Sequence, residues 1–87
     1  MDTNEIASRL RSYIRQKFGI PESDQQFTDD VDLFNYGYID SFGAVDLHAF
    51  LEDEFEVRPS SSELVAVPLN TIREIAVFLA RRQKGES

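Results

Sequence analysis

Three stretches of this chain repeat their apolar residues at helical spacing, and no stretch alternates them at strand spacing. Residues 2–18 carry Ile6, Leu10, Tyr13, Ile14 and Phe18. Residues 41–55 carry Ala44, Leu47, Leu51 and Phe55, with Phe50 widening the stripe. From Thr71 onward come Ile72, Ile75, Ala76 and Leu79, with Phe78 beside them. Steps of three and four place each set on one side of a helix, and each such stripe needs another to bury it. The chain is therefore expected to be all-α: a small four-helix bundle of three main helices and one short one. Its 87 residues allow a single domain, residues 1–87, with a core from about 3 to 82.

The ends of these stripes carry their own signals. Asp2 or Thr3 can cap the first helix, Glu5 suits its first turn, and Gly19 followed by Pro21 ends it. Asp40 is the expected N-cap of a second helix over Ser41–Phe55. Ser60 and Glu63 have capping-box spacing, which predicts a short third helix near Ser61–Val65. Thr71-Ile72-Arg73-Glu74 is a second capping box and opens the last helix, whose final turn gathers basic residues. The connection over 19–40 is long for a small domain. Phe27, Val31, Leu33, Phe34 and Ile39 can anchor it, so it reads as an ordered loop lying across the helices. Its run Asp29-Asp30-Val31-Asp32 fails as a calcium loop. Counted from Asp30, Phe34, Asn35 and Ser41 fall where a ligand, a glycine and a bidentate glutamate are required. These carboxylates are expected to be solvated.

Composition excludes several functions. The chain has no cysteine, so disulfides, thiolate metal sites and a cysteine nucleophile are absent. Asp2, Asn4 and Glu5 follow Met1 at once, which argues against a secretory signal, and no apolar stretch is long enough to insert in a membrane. The expectation is a soluble, cytoplasmic monomer. The net charge of −7 is unevenly spread: from Phe18 through Val57 there is no lysine or arginine, and 11 of the 16 acidic residues lie there. Nucleic acid is a poor partner for such a segment. A basic protein surface is a good one. On the second helix, Val45, Asp46, Ala49, Glu52, Asp53 and Glu56 fall opposite the apolar stripe, an acidic face interleaved with small apolar residues.

Ser41 is the residue with chemical potential. As a hydrolytic nucleophile it would need a base within reach, and His48 is the only histidine. Seven residues along one helix separate the two by roughly 10 Å at ~1.5 Å per residue, so they cannot pair. No G-x-S-x-G elbow surrounds the serine, and no second histidine completes a metal site with His48. A serine at a helix start can instead be a substrate. The helix N-terminus stabilises a phosphate there, and Asp40 offers a carboxylate that a modifying enzyme can use, for instance to hold a metal. Read this way, the chain is an acceptor for a phosphate-linked modification on an acidic helix.

Gly37 through Phe55 resembles the attachment region of the carrier protein superfamily: acyl carrier proteins, peptidyl carrier domains and D-alanyl carrier proteins. The resemblance rests on Asp40-Ser41-Phe42, on Val45-Asp46-Leu47 one turn later, on Glu52-Asp53-Glu54-Phe55, and on the lead-in Asp32-Leu33-Phe34-Asn35-Tyr36-Gly37. Helix order, length and acidity extend it over nearly the whole chain and imply an acyl-carrier-like bundle. It implies that Ser41 receives 4′-phosphopantetheine from coenzyme A through a phosphopantetheinyl transferase, with Asp40 supporting the transfer. The arm's thiol would carry an acyl or aminoacyl group as a thioester, with no catalysis by the chain itself. A loading ligase and a downstream acyltransferase, synthase or condensing enzyme are implied as further partners. Asp40, Phe42, Val45, Asp46, Ala49 and Asp53 match positions the family uses for partner contact.

The subtype stays open. Phe42 and Gly43 stand where many fatty-acid carriers have leucine and an acid. This is closer to stand-alone D-alanyl carriers, which serve teichoic acid modification, and to discrete carriers of lipid, lipopeptide or other secondary-metabolite biosynthesis. Ser62-Glu63 and Asn70-Thr71 are also similar to the D-alanyl type, but Leu69 stands where that type tends to have tryptophan. A reading from another class is an unmodified helical adaptor that binds a basic partner through the acidic face of the second helix.

Overall fold

A computed structural model describes residues 2–60 and 69–85. They contain three helices and no strand: α1 over Thr3–Lys17, α2 over Ser41–Phe55 and α3 over Ile72–Gln83. The short helix expected near Ser61–Val65, with its Ser60–Glu63 capping box, lies outside the described residues.

Each helix starts where its sequence signal stands. The Asp2 carboxylate accepts the Glu5 amide at 2.8 Å, so Asp2 rather than Thr3 caps α1. Both bonds of the Thr71–Glu74 capping box are made at the start of α3. The α1 stripe ends at Gly19, whose φ of +66° is open to glycine at no steric cost. The end of α2 is less expected. Glu56 takes the left-handed conformation (φ 56°, ψ 34°) and still donates its amide to Glu52 O. A residue with a β-carbon is uncommon there.

The three stripes close one core. Ile6, Leu10 and Ile14 of α1 meet Ile72, Ile75 and Leu79 of α3 as the tightest helix pair, and Leu47, Leu51 and Phe55 complete the core from α2. Each such side chain contributes roughly 1.5–3 kcal/mol when fully removed from water. α2 meets α1 through larger groups: the Tyr13 and Phe50 rings stack with centroids 3.8 Å apart, and Arg9 pairs with Glu54 at 2.6 Å.

The long loop lies across the helices as its anchors require, with Phe27, Val31, Leu33 and Ile39 buried and Phe34 partly so. Its carboxylates differ from the expectation of simple solvation. Asp29 receives both arms of the Arg11 guanidinium at 2.9 Å, tying the loop to α1. Asp30 receives Arg73 at 2.6 and 3.1 Å, tying it to α3. Asp32 accepts the amides of Phe34 and Asn35 and closes a local turn. Two backbone bonds finish the seam, Leu33 N to Asn70 O at 2.9 Å and Arg73 N to Asp29 O at 3.0 Å. A loop held this way delivers the residues before α2 to a fixed place.

Candidate functional site

The run into α2 is built by short-range bonds. Tyr36 N donates to Asp32 O, Gly37 N to Phe34 O, and Ile39 N to Leu33 O at 3.0 Å. Gly37 has φ +79°, the left-handed region, which lets the chain reverse before Tyr38. Tyr38 donates its hydroxyl to Asp24 at 2.9 Å, and its edge meets the Phe27 ring. Burial, then the bond to Asp24 and its charge, push the Tyr38 hydroxyl above its ordinary titration range. Ile39 is buried, so the next two residues, Asp40 and Ser41, emerge at the surface.

Asp40 is the N-cap, as its position predicts. Its Oδ1 accepts the Gly43 amide at 2.7 Å and its carbonyl accepts the Ala44 amide at 2.9 Å. Ser41 is the first helical residue and is exposed. The amides of Ser41 and Phe42 stand too early in α2 for an intrahelical acceptor, so their N–H groups project at the helix start. The first turn of α2 contains no carboxylate of its own to offset the helix dipole. An exposed hydroxyl beside two unclaimed N–H groups, at the positive end of a helix, suits a phosphate ester.

Phe42, Val45, Asp46, Ala49 and Asp53 are all exposed on α2, as the helical spacing predicts. His48 is half-buried on the same helix, seven residues from Ser41. The acids of this face, Asp46, Glu52, Asp53 and Glu56, are exposed as well, and cations from outside the segment reach some acids of α2. Lys17 approaches Asp46 at 3.9 Å, Arg58 meets Glu52 through two nitrogens at 2.7 and 3.2 Å, and Arg9 holds Glu54. The cations missing from the middle of the sequence are supplied by its flanks.

Two supports of the site have no obvious counterpart in the sequence. Gly43 is buried against the end of α1, where a β-carbon would stand 2.7 Å from Phe18 Cε1 and 3.0 Å from Ile39 Cγ2. The sequence signal was a glycine inside a helix, which usually marks close packing. Tyr13 donates its hydroxyl to Asp46 O at 3.2 Å, and burial, with the Asp46 charge second, raises its titration above the usual range.

The described residues thus present an exposed serine at a helix start that Asp40 caps and that Gly43 seats on the Phe18 ring. The model of the phosphopantetheine attachment site family matches residues 8–79. The chain is 31% identical over 83 residues to an acyl carrier protein of Saccharopolyspora erythraea, across 94% of this chain and 85% of that one. It is also 31% identical over 78 residues to an acyl carrier protein of Thermotoga maritima, across 90% and 91% of the two chains. The chain belongs to the phosphopantetheine-binding carrier protein family. Its cofactor is accordingly covalent 4′-phosphopantetheine, it is a carrier and not an enzyme, and its partners include a phosphopantetheinyl transferase and acyl-handling enzymes. No helix among the described residues is long and apolar enough to cross a membrane.

Proposed function

We propose that Ser41 is the attachment serine and that the chain is a discrete carrier of acyl or aminoacyl groups. The observation that carries this reading is the position of Ser41: exposed, first in α2, and directly after the capping Asp40. The arm supplies a thiol on which an activated group is held as a thioester. The chain's own residues hold the ester end. The amides of Ser41 and Phe42 can donate to its phosphate, and the Asp40 carboxylate, fixed by Gly43 N, supports the transfer. Asp40, Phe42, Val45, Asp46, Ala49 and Asp53 form the surface that partner enzymes meet. These partners are a loading ligase and a downstream acyltransferase, synthase or condensing enzyme. The work is cytoplasmic biosynthesis of a lipid, lipopeptide or other secondary metabolite, with the chain as a monomer.

Intact mass after incubation with coenzyme A and a broad-range phosphopantetheinyl transferase tests the assignment. The native chain should gain the mass of one arm and Ser41→Ala should gain none. Addition to Ser41→Ala, or no addition to the native chain, would overturn it. If the chain were only an acidic adaptor, Ser41→Ala would keep full function while Asp53→Lys lost it. Mass spectrometry of the chain from its own host separates a D-alanyl cargo from an acyl one.

A further inference from the structure

His48 is the one histidine of the chain, and the attachment site makes no use of it. It is half-buried on α2, and among the described residues it makes no hydrogen bond and no ion pair. Helical spacing explains why. Three and four residues away stand Ala44, Val45, Leu51 and Glu52, and only the Glu52 side chain can accept from an imidazole. Both Glu52 carboxylate oxygens are taken by Arg58, at 2.7 and 3.2 Å. No unpartnered side-chain nitrogen or oxygen among the described residues is buried, so the imidazole keeps its nitrogens open to solvent. A weak helix former that neither fills the core nor pairs adds little to the fold.

His48 does share a face with Ser41. Seven residues at about 100° each bring it within about 20° of two full turns, roughly 10 Å down the axis. The distance that bars the imidazole from the serine oxygen suits a group attached to that oxygen. The lane between them is flanked by Ala44, half-buried, and Val45, 69% exposed. A phosphopantetheine arm laid along this lane would meet matching chemistry in order. An extended chain advances roughly 1.2 Å per bond. The carbon bearing the arm's paired methyl groups would then stand about 5 Å from the serine oxygen, level with Ala44 and Val45. The first amide of the arm would stand about 8 Å out, and a long side chain at His48 leans back toward the helix start to meet it.

Resting on the reading of Ser41 as the attachment residue, we propose that His48 is a positioning residue for the arm. Its imidazole hydrogen-bonds the first amide and lays the inner half of the arm along α2. A neutral imidazole offers one donor and one acceptor, so it can give to the amide carbonyl or take from the amide N–H. The thiol end lies beyond the contact and stays free to carry its group outward. The bond replaces one to water, so it biases the arm without locking it. One such bond shifts the ratio of docked to free arm by about two- to tenfold.

With a single histidine in the chain, its ring gives one assignable set of NMR signals. The isotope-labelled full-length chain is compared before and after loading from unlabelled coenzyme A by a broad-range phosphopantetheinyl transferase. On attachment the His48 ring signals should shift, and isotope-filtered NOE spectra should link the ring protons to the arm beside its first amide. His48→Leu, similar in size but unable to hydrogen-bond, should weaken the NOEs between Val45 and the arm's methyl groups by about two- to tenfold. His48→Gln, which donates and accepts, should restore most of them. His48 makes no bond within the described chain, so the fold should survive both changes, and circular dichroism checks this. The comparison within the native chain stands whatever the variants do. Ring signals that stay in place on attachment overturn the inference and leave Ser41 as the attachment residue. So do arm contacts in His48→Leu equal to those of the native chain, or an equal loss in His48→Gln and His48→Leu. A native chain that gains no arm by intact mass overturns the attachment reading and this one with it.

Discussion

Phe18, the last residue of the α1 stripe, lies so close beneath Gly43 that a β-carbon there would stand 2.7 Å from its ring. The first turn of α2, and Ser41 with it, rests on that ring. Gly43→Ala should destabilise the fold by about 1–3 kcal/mol through overpacking. Phe18→Leu in the same chain should return part of the loss. Chemical denaturation of the two single variants and the double one measures the coupling. Additive effects would show that the contact does not brace the helix start.

Asp40 has two roles that one substitution separates. Asn caps a helix about as well as Asp, so Asp40→Asn should keep the bond to Gly43 N and change stability by only a few tenths of a kcal/mol. Asp40→Ala should cost about 1 kcal/mol. If the carboxylate itself supports arm transfer, both variants should slow it, the stable Asp40→Asn included. Normal transfer in Asp40→Asn would leave Asp40 as a cap alone.

The clamp between Asp30 and Arg73 fixes a pH dependence. The Arg73 hydrogen bond, then its charge, holds the Asp30 carboxyl below its ordinary value of 3.8. A carboxyl with a lowered folded pKa stabilises the fold in full above the unfolded value, and the contribution fades as pH falls from there through the folded one. Denaturation of the native chain and of Asp30→Asn should therefore differ by a constant amount near neutrality and converge below about pH 3.8. A gap that persists in strong acid would mean that the charge plays no part.

Glu56 holds a left-handed conformation that glycine adopts freely. Glu56→Gly should raise stability by about 1 kcal/mol, since it removes the strain of a β-carbon and keeps the amide bond to Glu52 O. Thermal unfolding checks the sign.

The helices could be read from the sequence because their cause is local. Ile6, Leu10 and Ile14 fall at helical steps, and Asp2, Asp40 and Thr71 cap within three residues of themselves. Ser41 could be placed at a helix start for the same reason. The contacts that hold that start in space join residues far apart in the chain. Arg11 reaches Asp29 and Arg73 reaches Asp30 across 18 and 43 positions, and nothing in the run Asp29-Asp30-Val31-Asp32 names those partners. The ion pairs that α2 makes were hidden for a related reason. A charge map along the chain counts Asp46 and Glu54 as free, whereas the fold sets Lys17 and Arg9 beside them. Gly43 was visible as a departure from other carriers, but its packing against Phe18 was not.

Leu33 is fully buried and bonded on both sides: its amide donates to Asn70 O and its carbonyl accepts Ile39 N. A carrier is hauled by its tether, and a helix end is where tension would unwind the chain first. Two residues before Ser41, the backbone is knotted to Leu33, and Leu33 is moored to the base of another helix. With Ser41 as the proposed attachment residue, a tug on it is taken up by the hydrophobic interior instead of paying out the loop. The cargo end can swing while its mooring stays still.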